Sequence, residues 1–493
     1  MAFRFWAAAL ASVCTSGCIA SSFPKTPAHG GPAWEEITTD HFIVDTDLEP
    51  SEAAQLVRDL ENMRKVMVEV VFGGEREPKI KVRVLALRTD EFGHFSAEAV
   101  GFYLNRVLFQ PILVTSPGGD WDTFTADIRK HELAHYVSSL FVDMELQPRW
   151  FAEGLASYLE TVRYDEKTGT VEVGRHPPDY QYLKYAKPAF LDELWGWSRA
   201  EPYESMRARF YQSSWGILHY LFDERPDDLR DYERALANGD DPKKAWQQLF
   251  PDLDQHGLSE VLGKYLYRAN FKVTKSTVRP AVFSMQRVPL SEADVLALRA
   301  TLYMALQPKS RRSLEESREL ARKNVAESLG YDPLNFWAHQ VNYFYFDKLP
   351  DSAALARQVT ARRRDNWLAW YWYADVLRTN KGPLDEQRSV LLKALELAPG
   401  NVMVLTDLAQ VEGRAGNWPE ALELSQKAIK APPYLAESLV TYTAALSHAG
   451  KCDDALIVES KILQYFKEKI PPSVQQSLTE NHDVCAALKP ASR

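Results

Sequence analysis

The chain has 493 residues, 45% of them hydrophobic and 25% charged, and a net charge of −9. That length exceeds one ordinary core, so two or three domains are expected, and the balance of apolar and charged residues excludes wholesale disorder. The acidic balance, with no long basic run, argues against nucleic acid as a partner.

Residues 1–5 carry one charge, Arg4, and a short apolar stretch follows at 6–13, ending in Thr15-Ser16-Gly17-Cys18. A charged start, a short apolar core and small residues describe an export signal, because a membrane span needs roughly 20 apolar residues. The end of this stretch resembles a bacterial lipobox. That resemblance implies cleavage before Cys18, a lipid on its thiol, a signal over 1–18 and a linker over 19–33. Thr15 departs from the Leu usual in the pattern, and a plain secretory signal is the alternative. On the lipoprotein reading the protein is exported and held to the membrane only through that lipid. Ile19 and Ala20 lack the Asp that marks inner-membrane retention, which favours the outer membrane, facing the periplasm. No later stretch is long and apolar enough to span a bilayer. Cys452 and Cys485 are the two cysteines outside the leader. The compartment permits a disulfide between them, and spacing leaves it open.

Trp34 begins a strand-like passage ending at His41-Phe42-Ile43-Val44-Asp45. Residues 51–72 read as a helix, since Ala53, Leu56, Val57, Leu60, Met63, Met67 and Val70 recur at the spacing of one buried face. Residues 79–87 alternate Ile80, Val82 and Val84 with Lys79, Lys81 and Arg83, the pattern of a half-buried strand. Two more strands are expected at 101–108 and 112–115, before the turn Ser116-Pro117-Gly118-Gly119-Asp120. A helix then runs to about Phe141, and Pro148 suits the first turn of the next.

The first of these helices carries His131-Glu132-Leu133-Ala134-His135, and the second carries Glu153, eighteen positions after His135. Histidines four apart lie one above the other on a helix, so both imidazoles can reach one ion. Glu132 sits one step round, where it meets a metal-bound water instead of the metal. Two His, one carboxylate and an open position form the ligand set of a catalytic zinc site, with one Zn2+ per chain. The blander readings are two ordinary polar-face histidines, or a metal retained for structure. Glu132 speaks against the second, because ligation does not need it and hydrolysis does.

This order of sheet, metal helix and third-ligand helix resembles the gluzincin metallopeptidases. Trp150-Phe151-Ala152-Glu153-Gly154-Leu155-Ala156 is similar to the third-ligand helix of their aminopeptidase-N-like, or peptidase MA-like, branch. The resemblance covers residues 34–273. It implies an α+β domain with a small mixed sheet, metal-binding helices and a helical lobe. It also implies peptide-bond hydrolysis in which Glu132 takes a proton from the attacking water and returns it to the leaving amine. The stretch Phe210-Tyr211-Gln212-Ser213-Ser214 resembles the branch's Tyr-x-x-Ser helix, making Tyr211 the expected oxyanion donor, with Tyr203 and Tyr220 in reserve. Glu160 falls where the branch carries a carboxylate that orients a ligand imidazole. The branch's amine-binding Gly-x-Met-x-Asn strand is missing, and Gly101-Phe102-Tyr103-Leu104-Asn105 is only a faint echo of it. An endopeptidase is therefore expected.

Residues 274–290 show little periodicity and read as a connector. Beyond them Gly382, Gly416 and Gly450 are spaced by 34, as are Pro399 and Pro433, and Ala421 and Ala455. A 34-residue helix–turn–helix period resembles tetratricopeptide repeats, expected over 291–466 as an all-α solenoid before a tail at 467–493. Stacked repeats offer a face for a protein or peptide substrate, or for a protein partner. A helical buttress without a ligand is the plainer alternative. Taken together, the chain reads as an exported zinc endopeptidase whose repeats recruit substrate. The other reading is a scaffold or adaptor with a metal-binding, peptidase-like lobe.

Overall fold

The computed structural model describes residues 24–74, 81–96, 101–116, 122–142, 147–177, 188–197, 204–306, 312–346, 352–430, 436–466 and 470–488. Cys18 and Tyr203 lie outside them.

A hairpin of β1 (Glu35–Thr38) and β2 (Phe42–Thr46) opens the fold, and α1 (Pro50–Val71) crosses to β3 (Val82–Ala86). Helix α1 buries Ala53, Leu56, Val57, Leu60 and Met67, the stripe its spacing dictates. The short α2 (Thr89–Phe95) leads to a second hairpin, β4 (Gly101–Val107) and β5 (Gln110–Thr115). Then come α3 (Asp122–Ser139), α4 (Arg149–Glu160), β6 (Arg163–Asp165) and β7 (Thr170–Val173). A helical lobe follows: α5 (Leu191–Trp195), α6 (Glu204–Glu224), α7 (Pro226–Ala237), α8 (Pro242–Leu249) and α9 (Gln255–Arg268).

The stretch 274–290, expected as a connector, instead supplies two strands. β8 (Thr274–Thr277) joins β7 and β6 in a three-stranded sheet, and β9 (Gln286–Pro289) pairs with β1. Their backbone hydrogen bonds explain them, for every residue of both strands is exposed and no apolar periodicity announces them. The main sheet runs β4-β5-β3-β2-β1-β9, with β3 parallel to both β2 and β5 and the other pairs antiparallel. β4 is an edge.

Both faces of this sheet are buried. Ile37, Phe42, Val44, Val82, Val84 and Leu113 enter a core shared with Leu133, Trp150, Phe151 and Trp215 of the helices that follow. Leu85, Phe102, Ile112 and Val114 enter a second core shared with Val295, Phe336, Trp337 and Tyr371 of the C-terminal half. The half-buried β3 that its alternation predicts is thus covered on both sides. Arg83, on the nominally polar face, is 2% exposed: its Nε donates to Asp45 at 2.5 Å and its guanidinium lies 3.8 Å from the ring centre of Trp337. A buried charge persists only when paired in this way.

The C-terminal half is a helical array: α10 (Glu292–Ala305), α11 (Leu314–Tyr331), α12 (Phe336–Tyr345), α13 (Ser352–Arg362), α14 (Trp367–Thr379), α15 (Leu384–Leu397), α16 (Val402–Arg414), α17 (Trp418–Ala428), α18 (Ala436–His448) and α19 (Cys452–Phe466). Helices α10/α11, α14/α15, α16/α17 and α18/α19 pack as helix–turn–helix pairs. Gly416 and Gly450 take φ of 83° and 72° two residues past α16 and α18, where only glycine enters the left-handed region without strain. The equivalent place after α14 is held by Lys381, at φ 53°, so Gly382 is one residue out of phase. The expected tail contains a further helix, α20 (Pro472–Leu488), which packs on α18 and is joined to α19 by a Cys452–Cys485 disulfide with an S–S distance of 2.10 Å.

The array touches both parts of the N-terminal half. Its first helix meets α2 through Arg299, which donates twice to Glu91 at 2.7 Å. Its last pair reaches the helical lobe, where Lys461 donates to the Asn238 carbonyl at 2.9 Å. No helix among the described residues is long and apolar enough to cross a membrane.

Candidate metal centre

Helix α3 turns Leu133, Ala134, Tyr136 and Val137 into the core, which leaves His131, Glu132 and His135 on the face toward α4 and β4. Helix α4 buries Trp150, Phe151, Leu155, Ala156 and Leu159 and presents Glu153 and Glu160, two turns apart, to α3. At Gly154 a Cβ would lie 2.6 Å from the Ser214 carbonyl oxygen, so α4 and α6 meet at backbone distance. That approach brings Tyr211 of α6 beside α3, with its ring centre 6.4 Å from that of His131.

His131 Nε2 and His135 Nε2 lie 3.4 and 3.5 Å from Glu153 Oε2, and the three donor atoms fall within 4.8 Å of one another. These separations exceed good N–H···O hydrogen bonds. They match the ~3.4 Å expected between ligands ~2.0–2.1 Å from the centre of a tetrahedron. His131 Nδ1–H donates to Glu160 at 2.8 Å, which fixes the tautomer and turns the Nε2 lone pair toward the group. His131, His135 and Glu153 thus form a group that could hold a metal ion.

The electrostatics agree. Burial pushes the His131 imidazole down, but Glu153 and Glu160 outweigh it and raise the group well above the ordinary range. Burial likewise pushes Glu153 up, and the two imidazoles overcome it and hold the carboxyl well below its usual value. Glu132 is raised, chiefly by burial.

Glu132 points at β4. Its Oε2 accepts the Tyr103 backbone N–H at 2.6 Å, and a Cβ at Gly101 would lie 3.4 Å from its Cγ. The segment that reads in sequence as a faint echo of a substrate strand is thus the sheet edge beside Glu132. The Tyr103 hydroxyl turns back to Ser139 Oγ, at 3.0 Å. Two other neighbours were not singled out by sequence. Arg149 Nε lies 3.5 Å from Glu153 Oε1, and its guanidinium stacks over Trp197, whose ring meets Tyr211 edge-on at 5.2 Å. Arg149, four residues before Glu153 on one helix, is readable as an i,i+4 pair; Trp197 has no such signal. Tyr220 packs on Tyr265 and not on the metal group. His219 is structural, with its ring nitrogens 2.7 Å from the Gly174 carbonyl oxygen and the Tyr265 hydroxyl.

No protein-family model matches the chain, and no curated protein does. Among solved structures, one titled "Crystal structure of MamA protein" is 18% identical with a TM-score of 0.27, over 35% of this chain and 93% of its own. A second, "Crystal structure of MamA", is 16% identical with the same TM-score, over 31% of this chain and 92% of its own. Similarity at this level carries nothing about function.

Proposed function

We propose that the protein is a zinc-dependent metallopeptidase of the gluzincin type that cleaves within polypeptide chains, exported and tethered through a lipid on Cys18. The observation that carries the reading is one constellation. Two histidine nitrogens stand 3.4 and 3.5 Å from one Glu153 oxygen, and an extra carboxylate, Glu132, joins this group to the β4 strand edge.

Bound at His131, His135 and Glu153, zinc would lower the pKa of its water toward ~7 and polarise the scissile carbonyl. Glu132 accepts the proton of the attacking water and passes it to the leaving amine. The β4 edge places an extended substrate across Glu132. Tyr211, whose ring lies beside that of His131, stabilises the developing oxyanion. Glu160 holds His131 in its ligating tautomer, and Arg149, braced by Trp197, steadies Glu153.

The test is zinc content measured alongside cleavage of casein by the full-length protein. One zinc per chain, cleavage lost on chelation and cleavage restored by zinc are expected. Zinc-loaded protein that cleaves nothing across a broad peptide library would transfer the function to the repeats as an adaptor. For the anchor, mass spectrometry of the mature N-terminus expects a lipid-modified Cys18, and an unmodified terminus elsewhere refutes it.

A further inference from the structure

The β4–β5 hairpin joins the metal centre to the repeats. Its tip is Leu108-Phe109, and both residues lie in the left-handed region, at φ 49° and 70°. Such a two-residue turn ordinarily takes Asn-Gly, and non-glycine residues there are strained. The repeats hold it in place. Leu108 is buried, and the Phe109 ring meets Phe344 and Tyr371 edge-on at 4.7 and 4.8 Å. From this tip opens a groove of about 500 Å³, lined beyond those rings by Arg378, Asp407, Gln410 and Glu437. All of its repeat residues come from α12, α14, α16 and α18. The size is that of a ligand site. Aromatic rings beside charged and amide groups suit an extended peptide, which offers side chains to the first and backbone groups to the second.

β4 fixes the direction. The Tyr103 N–H points away from β5, toward Glu132, so a peptide added to this edge passes the metal group. Five residues on, ~17 Å at ~3.3 Å per residue, the chain reaches Leu108 in the groove wall. Antiparallel addition is the more stable pairing, and it runs the peptide from the groove toward the metal. We propose that this groove is an exosite for the segment of an unfolded polypeptide substrate lying N-terminal to the scissile bond. The proposal rests on the peptidase reading and adds to it a second contact and a polarity.

Two probes separate them: casein, and a fluorogenic hexapeptide spanning one casein cleavage site, too short to reach the groove. In Gln410→Trp, which fills the groove, the ratio of kcat/KM for casein to that for the hexapeptide should fall at least tenfold, through KM. Glu437→Lys, at an exposed position, should lower it in the same sense if Gln410→Trp does not fold. A photo-crosslinker at position 410 of the Glu132→Gln protein should attach to casein upstream of the cleaved bond. An unchanged ratio, attachment downstream, or cross-links only between copies of this chain would each overturn the exosite. A zinc-loaded wild type that cleaves neither probe overturns the peptidase reading instead. Cross-linking from position 410 then decides separately whether the groove takes an unfolded chain, and its absence removes the groove as well.

Discussion

One sheet serves two neighbours, and its faces differ in how they are held. On the face of Val82 and Val84 the core is built with α1, α3 and α4, all within eighty residues, and with Trp215 of α6, packed by aliphatic and aromatic side chains. On the face of Arg83 and Leu85 the partners come from the repeats. There a buried ion pair joins Glu91 to Arg299, 208 residues away, and a tryptophan covers an arginine. The first face builds a site from local pattern. The second couples that site to the distant half of the chain, and it does so with charge and aromatic stacking that local pattern does not announce.

Trp337→Ala attacks the second face and should have the largest effect. Losing a buried tryptophan costs about 3–5 kcal/mol, and here it also uncovers the Arg83 guanidinium. Urea unfolding should shift accordingly while zinc stoichiometry in the folded protein stays at one. An unshifted midpoint would mean that the repeats do not brace the sheet. Opening the Cys452–Cys485 bridge, whose partners are 33 residues apart, removes about 3–4 kcal/mol by the loop-closure account. The loss should stay local, with faster hydrogen exchange in α19 and α20 and none in α3. Exchange that quickens in α3 would join the array's end to the metal face.

Glu160→Gln acts on the first face alone. Weakening a carboxylate–imidazole contact of this kind reduces zinc affinity roughly 10–100-fold, measurable by competition with a chelating dye, with stability unchanged. The smallest effect is electrostatic and belongs to the second face. His94, whose Nε2 lies 2.6 Å from the Tyr303 hydroxyl, is lowered from 6.5 to about 4 by burial, with Arg312 and Arg299 adding to it. Between those pH values the unfolded chain binds a proton that the folded one refuses, so stability present above pH 6.5 is lost as pH falls toward 4. The slope of unfolding midpoint against pH should flatten in His94→Asn. Equal slopes would remove His94 from the interface account.

The legible parts were those whose cause is local. His131, Glu132 and His135 follow from helical spacing, Glu153 from the next helix and the family resemblance, and the structure brings His131, His135 and Glu153 together, with Glu160 behind His131. Helix α1 and the helical period of the C-terminal half were equally readable. What escaped depends on partners far along the chain. β8 and β9 are exposed strands that exist through pairing with β7 and β1. The covering of Arg83 depends on Trp337, and the use of β4 as the edge beside Glu132 depends on how α3 crosses it. Lys381 in the left-handed position shows why Gly382 misled the phase of one repeat.

The most direct test of the central claim is Glu132→Gln, assayed beside wild type for zinc and for casein cleavage. The side chain is outside the proposed ligand set, so one zinc per chain should remain while kcat falls by about 10³-fold, the middle of the range for a lost general base. Cleavage at the wild-type rate, or loss of the metal with the substitution, would contradict the assignment.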